Sequence, residues 1–177
     1  MGDIFIENLV QKRPTTLETV VKILIILAGC LIALPLLYLA FIGFFSGPMV
    51  LLAIGAIYGA YRLMSMYNVE FETCFTNGTF DVDKIINRRS RKRLISVNCK
   101  DVTAIGKYKA ADHVNKTYKT KIIACDSELS EDVWYITVNH SVLGNSLVVF
   151  NMTDKLTESF KTFVPRHIAF EAFEKRF

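Results

Sequence analysis

Between Ile23 and Tyr61 the chain contains no Asp, Glu, Lys, Arg or His. A solvated domain surface needs charge, so this stretch excludes a uniformly soluble globule. Its four Cys include no C-x-x-C pair and its three His no H-x-x-x-H, which excludes the common zinc and dithiol motifs. No G-x-S-x-G, Walker loop or dinucleotide loop occurs, and nine Gly, four Pro and one Trp in 177 residues exclude collagen-like and low-complexity chains. What is present divides sharply. Residues 68–177 hold 31 of the 38 Asp, Glu, Lys and Arg residues. The split predicts three segments: an N-terminal interfacial segment over 1–15, a two-helix transmembrane hairpin over 16–67, and a soluble domain over 68–177.

The run from Ile23 to Phe45 is apolar throughout, and at 1.5 Å per residue it spans about 34 Å, enough to cross a hydrocarbon core of about 30 Å. Thr15 and Glu18 have capping-box spacing, so the first helix is expected from Thr16, with a kink at Pro35. Phe44-Phe45-Ser46-Gly47-Pro48 reads as the turn. The stretch from Met49 to Tyr61, extended by Leu63, Met64, Met66 and Tyr67 around a snorkelling Arg62, reads as the second span. Lys12, Arg13 and Lys22 precede the hairpin; Arg62, Lys84 and the Arg-rich run follow it; the turn has no cation. By the positive-inside rule both termini are cytoplasmic and the protein is a multi-pass cell-membrane protein. A cleaved signal peptide has a shorter apolar core nearer the start. Gly55 and Gly59 form a G-x-x-x-G face, expected either to pack on Gly29 and Ala33 inside the hairpin or to join a homodimer or membrane-protein partner. Residues 1–13, with Ile4, Phe5, Ile6, Leu9 and Val10, are expected to lie on the membrane as a short helix.

From Asn68 the apolar period changes to two. Val69 to Phe75 alternates, Asn77-Gly78 is a type I′ hairpin signal, and Phe80, Val82 and Ile85 continue a second strand. Further strands are predicted over 93–98, 101–108, 119–125, 133–139 and 146–151, for seven antiparallel strands in all. The polar loop 109–118 is expected to be mobile. Thr153 or Asp154 caps a closing helix in which Leu156, Phe160, Phe163 and Val164 form one stripe, ended by Pro165; residues 168–177 add another amphipathic turn or two. The predicted fold is a membrane α-hairpin plus a PH-like seven-stranded barrel capped by a C-terminal helix, with a β-sandwich as the alternative.

The segments Asn68-Val69-Glu70-Phe71-Glu72, Thr76-Asn77-Gly78-Thr79-Phe80-Asp81-Val82-Asp83-Lys84-Ile85-Ile86, the basic run and Phe163-Val164-Pro165-Arg166 together resemble an uncharacterised bacterial family of small two-pass membrane proteins with a C-terminal PH-like domain. The resemblance implies fold and location and carries no activity.

Six cations with no acid, Lys84, Arg88, Arg89, Arg91, Lys92 and Arg93, are the strongest binding signal. Strands of eight residues reach about 26 Å, so the hairpin carries the chain away from the bilayer and back, returning the run to headgroup height, where each cation attracts anionic lipid by about 1 kcal/mol. The competing reading is a topology signal alone. Residues 68–177 hold 17 Lys and Arg against 14 Asp and Glu, too near balance for a nucleic-acid footprint. Asp81 and Asp83 have the D-x-D spacing of metal-dependent sugar transferases but also read as a solvated strand face. His113, His140 and His167 read as surface residues, and Cys30, Cys74, Cys99 and Cys125 as reduced thiols. Sequons at Asn77, Asn115, Asn139 and Asn151 stand against the cytoplasmic assignment. The expectation is a noncatalytic binding module without cofactor or metal, contacting the lipid bilayer, anionic lipids or a membrane-protein partner; an accessory or scaffold subunit assembled through the hairpin is the alternative.

Overall fold

A computed structural model describes residues 4–43 and 46–174 of the chain. It divides into two compact units, Pro14–Val69 and the combination of Met1–Arg13 with Glu70–Phe177.

The first unit is a helical hairpin. Helix α1 (Thr16–Phe41) starts at the expected capping box, where the Thr15 N–H donates to Glu18 Oε2 at 3.0 Å, and it runs through Pro35 without a break. Gly43, at φ 84°, takes the left-handed conformation just past the helix. Helix α2 (Ser46–Ser65) begins earlier than the sequence suggests: Ser46-Gly47-Pro48 is its first turn and not part of the connection. Proline is tolerated there because a first-turn N–H has no intrahelical partner. The two helices are long and apolar enough to cross a membrane, with mean hydropathy of 2.7 and 1.3 over their most apolar windows. A core helix of a soluble protein buries such residues; here only 11% and 6% of those windows are buried, which points to membrane association. The seam between the helices is built from small residues, with Gly29, Ala33 and Ala53 buried.

The second unit holds eight strands in two four-stranded sheets. Sheet A has the order β1-β2-β3-β4, formed by Phe5–Gln11, Val69–Thr76, Thr79–Ile86 and Ser90–Asn98. Sheet B has the order β5-β7-β8-β6, formed by Val102–Lys107, Val133–His140, Gly144–Asn151 and Thr120–Ala124. Three expectations are corrected. Residues 5–11 are an edge strand paired antiparallel with β2, from Phe5 opposite Thr76 to Gln11 opposite Glu70, and not an interfacial helix. The N-terminal segment therefore belongs to the β-rich unit, because seven residues of backbone pairing outweigh the weak amphipathic signal. There are eight strands among the described residues rather than seven, and β6 runs parallel to β8, so the sheets form two layers and no closed barrel.

The β2–β3 turn is the type I′ hairpin the Asn-Gly pair demands, with φ 45° at Asn77 and 88° at Gly78. Gly78 is required twice over, since a Cβ there would lie 2.7 Å from Cδ1 of Phe163. Helix α3 (Asp154–Phe163) is capped by Thr153, whose Oγ1 accepts from the Leu156 N–H at 3.4 Å. Its stripe closes the layers: Phe160 meets Phe75 at 5.4 Å and Phe80 at 5.2 Å from sheet A, and Phe150 at 5.6 Å from sheet B. Burying aromatic rings edge-to-face supplies both area and about 0.5–1.5 kcal/mol per pair. Pro165 ends α3 and precedes the single turn α4 (Arg166–Ala169) and a π-helical segment whose Phe173 stacks on Trp134 at 5.2 Å.

Candidate functional site

Alternation along β2 puts Phe71 and Phe75 on the core side and Glu70, Glu72 and Cys74 on the outer face of sheet A. These acids are nonetheless buried, Glu72 and Asp83 at 4% exposure, because arginines lie over them. Arg88 donates from Nε to Glu70 at 3.0 Å. Arg91 pairs with Glu72 and reaches Asp83 at 3.7 Å. Arg93 donates from Nε to Asp83 at 2.9 Å and from Nη1 reaches Asp81 at 3.1 Å. The D-x-D pair is thus bound to a guanidinium rather than standing free, and Asp81 Oδ1 is buried with no hydrogen-bond partner. Cys74 sits in the same layer, its thiol pushed up by burial and then by the carboxylates of Glu7, Asp83 and Asp81, which keeps it protonated and unreactive.

The six cations of the basic run therefore fall into two sets. Arg88, Arg91 and Arg93 pair with four carboxylates while their own side chains stay 81%, 54% and 55% exposed. Lys84, Arg89 and Lys92 make no ion pair or hydrogen bond among the described residues. Lys84 stands directly opposite Lys92 in the β3–β4 register, a like-charge pairing that costs stability unless an anion offsets it. The fork lies in the local geometry. Asn87 and Arg88 both have positive φ, 50° and 54°, and the Arg89 N–H closes the turn on Ile86 O at 3.1 Å. This tight turn aims Arg88 back at Glu70 and leaves Arg89 exposed at the tip.

Sequence reasoning missed a second charged region. His113 is not a surface residue but 3% exposed, inside a group of three tyrosines. Its Nδ1 is 2.8 Å from the Tyr118 hydroxyl, its ring stacks on Tyr108 at 5.4 Å, and Tyr135 meets it edge-on at 4.3 Å. Burial, with Lys116 nearby, lowers the His113 pKa below 6.5. The segment 109–118, expected to be mobile, contains a 3-10 turn (Ala110–His113) pinned by that residue. Tyr108 and Tyr118, five residues either side of His113, were the available signal. His140 instead accepts from the N–H groups of Val142 and Leu143 at 3.2 Å, which holds the β7–β8 turn. The four cysteines are free, Cys99 and Cys125 buried with pKa values pushed up to about 12 and about 11 by burial. Asn151 of the last sequon is committed to Asp126, donating to Oδ1 at 2.7 Å and accepting from its N–H at 2.9 Å.

In the hairpin, Gly59 and Gly29 line one groove, but neither Gly55 nor Gly59 makes the tight contact expected with Gly29 and Ala33. Gly29 faces Ala60, where an added Cβ would come within 2.8 Å, whereas a Cβ on Gly55 or Gly59 would meet nothing within 4 Å. The G-x-x-x-G face is left open because the offset alanines Ala53, Ala56 and Ala60 take the seam.

The model of a family described as bacterial PH-like domain (DUF6106) matches residues 2–170, and the chain belongs to that family. No curated protein and no solved structure matches the chain.

Proposed function

We propose that this bacterial PH-like protein is a noncatalytic binding module, held at the cell membrane by a two-pass hairpin with both termini cytoplasmic, which contacts anionic lipid headgroups through Lys84, Arg89 and Lys92. The observation that carries the reading is the division of the basic run: three arginines pair with carboxylates, while Lys84, Arg89 and Lys92, at and beside one turn, have no ion pair among the described residues. Charge chemistry supports it: a cation close to an anionic bilayer feels the negative surface potential inside a Debye length.

The test uses the full chain in nanodiscs of phosphatidylcholine, alone or mixed with phosphatidylglycerol. Amide exchange over residues 86–92 slows in the anionic discs, and the triple variant Lys84→Gln, Arg89→Gln, Lys92→Gln removes the difference. Equal exchange in the two discs rejects headgroup contact. A second reading, an accessory or scaffold subunit, draws on the open Gly55–Gly59 face, which permits close approach of another transmembrane helix.

A further inference from the structure

Residues 107–121 carry five lysines, Lys107, Lys109, Lys116, Lys119 and Lys121, against one acid, Asp112. All five are exposed and none makes an ion pair among the described residues. These lysines belong to the crossover on sheet B and not to the β3–β4 turn of sheet A.

Its placement follows from topology. Strand β5 pairs antiparallel with β7, β7 antiparallel with β8 and β6 parallel with β8, so the chain must cross the sheet between β5 and β6. The Tyr108 N–H donates to Val133 O and the Lys119 N–H to Asn145 O, both at 2.9 Å, at opposite ends of the β7–β8 ladder. Between those anchors the segment covers the outer face of sheet B, where Val133, Leu147, Val149 and Cys125 form a small core packed by Tyr108, Tyr118 and Tyr135. His113 fills the middle of the cover. Tyr108 and Tyr118 are half-buried around His113, with Lys121 Nζ 5.7 Å from the centre of the Tyr118 ring, and lysine and aliphatic carbon stand outside them: Val114 is 73% exposed, and Ile123, beside Lys121 on the same side of β6, is 42% exposed.

We propose that this crossover is a second docking surface, for an anionic lipid bilayer, distinct from the β3–β4 turn. Chemistry selects the partner. Single-stranded nucleic acid is held by exposed aromatic platforms on which bases stack, whereas Tyr108, Tyr118 and Tyr135 here pack on His113 and the Tyr118 ring also carries Lys121. Exposed lysines in one crossover with exposed Val and Ile match a headgroup layer with acyl carbon beneath it, each lysine contributing roughly fivefold to partitioning. The proposal rests on the hairpin holding the domain beside a membrane, which raises the effective concentration of lipid surface, and not on Lys84, Arg89 and Lys92.

The experiment is amide exchange of the full chain in neutral and anionic nanodiscs, read over residues 109–118. Protection appears in the anionic discs, or on adding phosphatidylglycerol vesicles to protein in neutral discs, and fades with salt. Replacing the five lysines with Gln abolishes it while the β7–β8 amides keep their native exchange, and the triple variant of the β3–β4 turn leaves it intact. Exchange over 109–118 that is indifferent to lipid charge overturns the proposal, as does protection that survives the five substitutions. Protection by polyuridylate in neutral discs without any by anionic lipid would replace the bilayer with nucleic acid and equally overturn it. Loss at residues 86–92 with retention at 109–118 would reject the turn as a headgroup site and leave the crossover standing.

Discussion

Replacing Arg93 with Met should destabilise the β-rich unit by about 2–3 kcal/mol although no core residue changes. The magnitude follows from what the guanidinium holds. Asp83, with a side chain 5% exposed, receives Nε at 2.9 Å and Nη2 at 3.5 Å, and Asp81 receives Nη1 at 3.1 Å while its other oxygen has no partner. Removing Arg93 leaves two neighbouring carboxylates with only Arg91, 3.7 Å from Asp83, to answer them. Breaking a buried ion pair costs about 3–5 kcal/mol; Arg93 is itself 55% exposed, so solvent screening brings the value down. The assay is thermal unfolding in mild detergent followed by fluorescence of Trp134, the chain's single tryptophan, which reports the β-rich unit alone. At about 4 °C per kcal/mol for a unit of this size, the midpoint falls by about 8–12 °C. In the Arg93→Met background, Asp83→Asn removes the stranded charge and should cost less than it does in the native chain, the signature of coupling. A midpoint unmoved by Arg93→Met, or strictly additive effects of the two changes, would refute the network. The practical consequence is that neutralising Arg88, Arg91 and Arg93 perturbs the fold before it tests lipid binding.

Gly78→Ala combines a left-handed backbone at φ 88° with a Cβ 2.7 Å from the Phe163 ring, so about 2 kcal/mol of destabilisation is expected by the same fluorescence assay. Gly29→Leu should disrupt the hairpin, since even a Cβ would crowd Ala60, whereas Gly59→Leu should leave it intact; crosslinking between α1 and α2 reads the difference, and loss of a homodimer on Gly59→Leu alone would favour the scaffold reading. The crossover should loosen in acid. Burial sets the folded pKa of His113 below 6.5, so its neutral form contributes stability that is complete above about 6.5 and declines as pH falls, because the opened segment takes up a proton first. Exchange over 109–118, corrected for intrinsic rates, should therefore rise on going from about pH 8 to about pH 5, and His113→Gln should flatten the profile; a native profile already flat would remove the linkage.

The hairpin, the Asn-Gly turn and the Thr153-capped helix were legible because each is written within a few residues: an uncharged apolar run, a dipeptide that tolerates positive φ, a stripe at helical spacing. Strand β1 was not. Phe5 and Leu9 are exposed on one face while Ile6 and Val10 are half-buried on the other, so no alternation marks a strand, and its partner β2 follows only after the intervening hairpin. The parallel pairing of β6 with β8 is equally silent, since a long crossover reads locally as a polar loop. The basic run was read as free because its arginines were counted along the chain and not across it. The face was in fact deducible: a two-residue turn at Asn77-Gly78 puts Glu72 and Asp83 on one side of a strand pair, and alternation in the next strand sends Arg91 and Arg93 to that same side, leaving Lys92 on the other. Lysines 107–121 escaped notice for the opposite reason, being spread over fifteen positions with no two adjacent, yet they all belong to one crossover. Charge along a sequence therefore predicts the field outside a β-rich domain only after each cation has been assigned to a sheet face and matched against the acids it meets there.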